Sequence, residues 1–322
     1  MPHLLIAGKL DEAGHALLRA APDLTVDYVE STDPRAYVPF MARAEGLVIR
    51  TQPLTAGIIA EAPRLRVVSR HGVGYDSVDV AALTARGVPL AVCGDVNSTA
   101  VAEHAMALIL ALAKELRPMD AAVRGGAWDR RGDYGGRELG GKRLLVIGYG
   151  RSGRKLARLG AAFGMSVAAH DPYLAEASMA GEPARLAPDL GAALAEADVV
   201  SLHLPKADRP VLGAAEIARM KPGAILVNTA RGGIADEAAV AAALASGRLA
   251  GAGFDVFDPE PPESLPLAAA GNAILTPHVA GLSPEAMARM AEGSVRNVLD
   301  FFAGRLDPAL VVNGTALGMA AP

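Results

Sequence analysis

Apolar residues in the first third of this chain collect in short stretches, Leu4–Ala7, Leu24–Val29, Leu47–Ile49, Val67–Ser69 and Leu90–Cys93, most of them nearly unbroken. Runs this short, apolar on both alternating faces, predict strands buried from two sides. Between them the apolar spacing lengthens to that of a helix, around Asp11–Ala20, Pro34–Arg43, Thr55–Ala62 and Ser77–Arg86. Regular strand–helix alternation with short links predicts a parallel sheet wrapped by helices on both faces. This first unit is expected to end near Asn97.

The pattern then changes. Thr99 to Leu116 reads as one long helix, apolar around most of its circumference. Such a helix has to be covered on several sides, by another domain or by a second subunit. Residues 124–141 are glycine-rich, charged and irregular, carry the single tryptophan, and read as an extended arm. A second series of strands follows at Leu144–Ile147, Ser166–His170, Val199–Leu202, Ile225–Asn228, Gly251–Phe254 and Ile274–Thr276, with helices around Pro188–Ala197, Ala214–Met220 and Glu237–Ser246. Pro284 opens a long helix to Phe302, and Leu310–Val312 reads as one last strand. Both are assigned to the first unit, which makes it discontinuous: 1–97 with 284–322, around a second domain at 98–283. The fold class is α/β, with two doubly wound parallel sheets.

The second series opens on the most specific pattern in the chain. After the Leu144–Ile147 run come Gly148, Gly150 and Gly153 at G-x-G-x-x-G spacing, then a helical pattern through Leu156, Leu159 and Phe163. Gly148 allows the tight strand-to-helix turn, Gly150 lets a pyrophosphate approach the backbone, and Gly153 lets the helix pack closely on the strand. The phosphates would face the unpaired N–H groups and positive dipole end of that helix. The next strand ends in Asp171, placed to accept hydrogen bonds from both hydroxyls of an adenosine ribose. Strand, turn, helix and acid together predict a dinucleotide site of Rossmann type. Asp171 repels a 2′-phosphate, so NAD is expected over NADP; Arg151 and Arg154 could soften that preference, but both lie in the glycine turn rather than after Asp171.

Composition narrows the class. With 322 residues, 51% hydrophobic and 20% charged, the chain can build two full cores. A net charge of −4 argues against general binding to nucleic acid or anionic membranes. The longest apolar run near a helix, Ala105–Ala113, is too short to span a bilayer, and the first residues lack the basic segment of a leader. The single cysteine, Cys93, leaves no disulfide framework and no cysteine-ligated zinc, fitting a cytoplasmic, reducing setting; no metal is expected.

Ligands of open parallel sheets bind beyond the carboxyl ends of the strands. Three residues able to move a proton or hold an anion lie there. Arg231, in AILVNTARGG, suits a carboxylate by paired hydrogen bonds. His278, in ILTPHVAG, suits proton donation near neutral pH. Glu260, in the proline-stiffened FDVFDPEPP, suits orienting an imidazole and raising its pKa.

The set GYGRSG…HDP, NTARGG, GFDVFDPEP and TPHVAG, with the earlier SRHGVGYDSVD, resembles the D-isomer-specific 2-hydroxyacid dehydrogenase family over nearly the whole chain. The resemblance implies His278 as acid/base, Glu260 as its partner and Arg231 as the substrate clamp. It implies Val73 and Gly74 as backbone donors to the substrate carboxylate. Its implied cofactor set is Gly148, Gly150, Arg151, Ser152, Gly153, Asp171, Pro205, Thr229, Ala230, Asp255 and Gly281, with Asp255 on the nicotinamide carboxamide. It further implies NAD as cofactor, a flavodoxin-like substrate domain, a Rossmann domain, and a homodimer formed through the helix and arm at 99–141. His203-Leu204-Pro205-Lys206-Ala207 departs from the family's H-x-P-L-T and loses one minor cofactor contact. With Pro322 as the last residue read, the regulatory domain of some phosphoglycerate dehydrogenases is not expected.

The expected activity is hydride transfer between NAD(H) and a small-molecule 2-hydroxy or 2-keto acid. Corepressors of the C-terminal-binding kind and formate dehydrogenases resemble the same motifs and stand as alternatives. Arg50 and Arg70 end consecutive strands, and Arg130 and Arg131 lie in the arm. One substrate carboxylate is already provided for, so these arginines point to a second anionic group, such as a phosphate or sulfonate.

Overall fold

The computed structural model describes residues 1–319. The chain divides into two compact units, Met1–Asn97 with Leu282–Pro322, and Ser98–Gly281. In the first, β1 (His3–Ala7), β2 (Thr25–Val29), β3 (Gly46–Ile49), β4 (Val67–Arg70) and β5 (Leu90–Ala91) form an all-parallel sheet in the order β2-β1-β3-β4-β5. β3 is buried along its whole length, whereas β2 keeps an exposed edge. Helices α1 (Glu12–Arg19), α2 (Pro34–Met41), α3 (Ala56–Ala60) and α4 (Val80–Ala85) each start at a residue whose side chain accepts a first-turn N–H: Asp11, Asp33, Thr55 and Asp79. The chain winds one way from β1 to β2 and the other way from β3 onward. The switch point, where such sheets bind ligands, therefore lies between the carboxyl ends of β1 and β3.

The second unit begins with α5 (Ser98–Ala113) and α6 (Leu116–Arg124). It continues β6 (Arg143–Ile147), α7 (Arg151–Ala162), β7 (Ser166–His170), β8 (Ala184–Leu186), α8 (Leu190–Glu196), β9 (Val199–Leu202), α9 (Ala214–Arg219), β10 (Ala224–Asn228), α10 (Glu237–Ala245), β11 (Leu249–Phe254) and β12 (Ala273–Leu275). The seven strands are parallel in the order β12-β11-β10-β9-β6-β7-β8, so this sheet reverses between β6 and β9. α5 lies close on β11: a Cβ at Gly251 would come 2.9 Å from Leu112, and one at Gly253 would come 3.0 Å from Leu108. The last long helix, α11 (Pro284–Phe302), belongs to the first unit, where Asn297 donates to the Ser69 hydroxyl at 3.2 Å and the Val92 carbonyl at 3.1 Å.

Three local expectations are corrected. The helix read as Thr99–Leu116 stops at Ala113, because Glu115 takes a left-handed backbone (φ 48°), and α6 starts anew with Pro118 in its first turn, where no N–H is required. Part of the arm is helical, with a 3₁₀ segment at Trp128–Asp133. Leu310–Val312 is not a strand: Pro308–Leu310 is a 3₁₀ turn, and only an antiparallel bridge joins Val311 to Ala91. The edge strand β8 has only three residues, ARL, too short a pattern to predict a strand. No helix among the described residues is long and apolar enough to cross a membrane.

Candidate active site

The glycine turn lies at the switch point of the seven-stranded sheet. Gly148 has φ 89°, and a Cβ there would lie 2.5 Å from the His203 carbonyl oxygen in the loop after β9. A Cβ at Gly153 would lie 2.2 Å from the Gly148 carbonyl, so glycine alone lets α7 sit on the turn. Gly150 is the N-cap of α7; no side chain caps the helix there, and a Cβ would meet nothing within 4 Å. The first-turn N–H groups therefore open onto free space, with Arg151 exposed and Ser152 half-buried beside them.

Asp171 ends β7 across from this turn. Its Oδ2 accepts the Tyr149 N–H at 2.9 Å and its Oδ1 the Tyr173 N–H at 3.0 Å, which fixes the carboxylate and leaves each oxygen a free lone pair. Arg154 turns away. It pairs closely with Glu182, and its guanidinium lies 4.8 Å from the Tyr149 ring, whose hydroxyl donates to the same Glu182 at 3.2 Å. Its charge is thus already paired, in keeping with a turn arginine that does little to soften the preference set by Asp171. Along the same end of the sheet, Ala230 is buried, Pro205 is exposed and Gly281 is half-buried. The Thr229 hydroxyl is buried without a hydrogen-bond partner among the described residues. An uncapped helix, an open glycine, a fixed carboxylate and an orphaned hydroxyl on one sheet end are the donor and acceptor set a dinucleotide requires.

Glu260 and His278 lie 18 residues apart in sequence and meet here: His278 Nδ1 is 2.6 Å from Glu260 Oε2. The other carboxylate oxygen accepts the Phe257 N–H at 2.9 Å, which orients the pair. The hydrogen bond to Glu260 holds the imidazole pKa above its ordinary value, outweighing partial burial and the opposing charge of Arg231. For Glu260, burial pushes the carboxyl up, but the His278 and Phe257 hydrogen bonds prevail and it is lowered. With Nδ1–H held by a carboxylate, Nε2 is the nitrogen left for chemistry.

Arg231 reaches the same group through β10. Asn228 clamps its loop, donating to the Arg231 carbonyl at 2.8 Å and accepting the Ala230 N–H at 3.1 Å. Gly232 has no room for a side chain: a Cβ would lie 1.9 Å from the Phe257 carbonyl oxygen. The arginine loop thus rests directly on the backbone that carries Glu260. Asp255, expected to face a carboxamide, is fully buried and turned inward. It accepts from the Thr276 hydroxyl and from the Val279 and Ala280 N–H groups, so it organises the His278 loop from beneath.

In the first unit, Gly8 follows β1 with φ 110°, and a Cβ there would lie 2.8 Å from that of Arg50. Arg50 thus sits at that sheet's switch point. It is half-buried, its side chain reaches the Met287 sulfur at 3.9 Å, and burial lowers its pKa. Arg70 donates to the Ile49 and His71 carbonyls at 3.3 and 3.0 Å. His71, unnoticed in the sequence, is buried beside them; burial and then the Arg50 charge push it down to about 4, so it stays neutral. Cys93 is buried, its thiol pushed up to about 11 by that burial. Among the described residues, neither Val73 nor Gly74 gives its N–H to a backbone carbonyl.

Residues 106–280 match the NAD-binding domain of the D-isomer-specific 2-hydroxyacid dehydrogenases. The chain is 38% identical over 316 residues to the D-3-phosphoglycerate dehydrogenase of Mycobacterium leprae, covering 97% of this chain and 59% of that protein's length. It superposes on D-lactate dehydrogenase of Aquifex aeolicus, solved with NAD and lactic acid, with a TM-score of 0.87 and 28% identity over 96% of this chain and 98% of that one. It also superposes on the NADPH-dependent glyoxylate/hydroxypyruvate reductase of Sinorhizobium meliloti, with a TM-score of 0.86 and 30% identity over 98% and 99% of the two chains. With over half of its length matched to the family's own domain, the chain belongs to the D-isomer-specific 2-hydroxyacid dehydrogenases.

Proposed function

We propose that this chain is an NAD-dependent oxidoreductase that interconverts a D-2-hydroxy acid and its 2-keto acid. The observation that supports this most directly is the His278–Glu260 pair at 2.6 Å in the same unit as an uncapped glycine turn. The turn residues 148–153, with Asp171, Thr229 and Ala230, are the proposed holders of NAD. Bound there, the nicotinamide supplies or accepts the hydride.

His278 protonates the forming alkoxide from Nε2 in the reducing direction and takes the proton back in the oxidising one. Glu260 fixes the tautomer through Nδ1 and favours the charged ring. Arg231 holds the substrate carboxylate and stabilises the developing oxyanion. In the first unit, Val73 and Gly74 are proposed as further carboxylate donors, and Arg50 and Arg70 as binders of a second anionic group. The phosphoglycerate dehydrogenase relatives favour a phosphate for that group. A cytoplasmic homodimer joined through residues 99–141 is also proposed; Leu116, Val123, Trp128 and Tyr134 are exposed there. Turnover of NADH with a panel of 2-keto acids tests the reading, with chiral analysis of the product. Failure to oxidise NADH with any of them rejects it.

A further inference from the structure

The backbone at His278 is strained. It has φ 54°, a left-handed conformation that side-chain-bearing residues adopt at a cost. Two residues hold it there: the Thr276 carbonyl accepts the His278 N–H at 3.1 Å, and buried Asp255 makes the remaining bonds. The Asp255 carbonyl accepts the His278 N–H at 2.8 Å, and the Asp255 carboxylate accepts the Val279 and Ala280 N–H groups at 2.9 and 2.8 Å. The fourth bond to Asp255 is the shortest: the Thr276 hydroxyl donates to Asp255 Oδ1 at 2.6 Å. Asp255 has no exposed surface, so these donors are its means of offsetting the loss of water around a carboxylate.

Thr276 has one proton, and the carboxylate takes it. Its oxygen can then only accept from the next neighbour, His104 Nε2, at 3.1 Å. That requirement places a proton on Nε2 of His104, whose side chain is one-quarter exposed on α5. The result is a directed chain of donors, His104 to Thr276 to Asp255, ending under the loop that presents His278.

We propose that His104 and Thr276 are positioning residues for the acid/base: through Asp255 they hold the strained His278 backbone so that Nδ1 stays on Glu260 and Nε2 is presented for proton transfer. Neither touches the reacting atoms. The inference rests on the dehydrogenase reading above, and its test includes a measurement independent of turnover.

Thr276→Val keeps the shape and removes the hydroxyl; Thr276→Ser keeps the hydroxyl. The expected result is that Thr276→Val lowers kcat about tenfold, with the KM for NADH within about twofold, while Thr276→Ser stays near the parent. His104→Leu should lower kcat in the same sense, and His104→Gln, which retains a donor, should restore most of it. In cofactor-free protein, the downfield proton signal of His278 Nδ1 should weaken in Thr276→Val and persist in Thr276→Ser. Equal losses in the Val and Ser variants, or an unchanged kcat and signal in Thr276→Val, overturn the proposal. Should Thr276→Val fail to fold, the His104 pair decides by the same measurements. If the parent reduces no 2-keto acid but the His278 signal still responds to Thr276→Val, the positioning stands and the dehydrogenase reading falls.

Discussion

The two sheets of this chain reverse direction in the same way, yet their switch points are built for opposite purposes. Each first strand ends in a glycine with positive φ, Gly8 after β1 and Gly148 after β6, and each is followed by a helix. There the likeness stops. The N-terminus of α1 is closed by Asp11, whose side chain accepts the Ala13 N–H at 3.0 Å, and Glu12 stands in its first turn. The N-terminus of α7 is capped only by Gly150, with Arg151 and Arg154 in its first turn. A carboxylate on the first helix already satisfies the dipole and repels an anion; the bare second helix attracts one. In the first unit, positive charge is carried instead by Arg50 and Arg70 at strand ends. Topology sets where a ligand goes; the cap residue decides whether the helix end itself can take a phosphate or leaves that to side chains.

The largest effect should come from the acid/base pair of the second unit, at the ends of β11 and β12. His278→Gln is expected to lower kcat by about 10²-fold or more with NADH affinity nearly unchanged. Its companion Glu260→Gln gives the pH test. The charged ring is the proton donor, so reduction should fall as pH rises through the raised His278 pKa. Without the Glu260 charge that pKa drops, and the fall should move to lower pH in a kcat profile.

Exchanging caps tests the comparison itself. Gly150→Asp gives α7 the kind of cap α1 has, in extended backbone and open space. It should weaken NADH binding about tenfold or more in fluorescence titration, while thermal stability holds or rises. Asp11→Gly should leave NADH binding untouched and cost only a few tenths of a kcal/mol of stability. Equal NADH binding by Gly150→Asp and the parent would sink the reading of the helix end.

Arg50→Ala probes the first switch point. It should cost dianionic substrates about 1.5–3 kcal/mol in kcat/KM, the range for charge-assisted hydrogen bonds, and barely affect mono-acids. Equal losses on both would make the arginine structural. The smallest change is expected from Asp171→Ala, which should shift the ratio of kcat/KM values toward NADPH only partway. Arg154 remains tied to Glu182 and cannot take up the 2′-phosphate. A parent enzyme that already prefers NADPH would overturn the role given to Asp171.

The sequence by itself determined the layout and singled out the residues on which the proposed chemistry rests. Short apolar runs alternating with helical spacing are local signals of burial, and they placed nearly every strand within one or two residues. The glycine spacing, Asp171, and the triplet Arg231, Glu260 and His278 were legible because each sits at a strand end, where chemistry in such sheets collects. Only the tertiary structure decided what meets what. It brought Nδ1 of His278 onto Glu260, turned Asp255 inward beneath the loop, drew Arg154 to Glu182, and set His104 against Thr276 from 172 residues away. It also broke the long helix at Glu115 and made a 3₁₀ turn of the expected last strand. The physical reason is one of range. Burial patterns repeat every two to four residues and can be read in a window, whereas the partner of a polar side chain depends on strand order and on loops that approach within a hydrogen bond only after the sheet has closed.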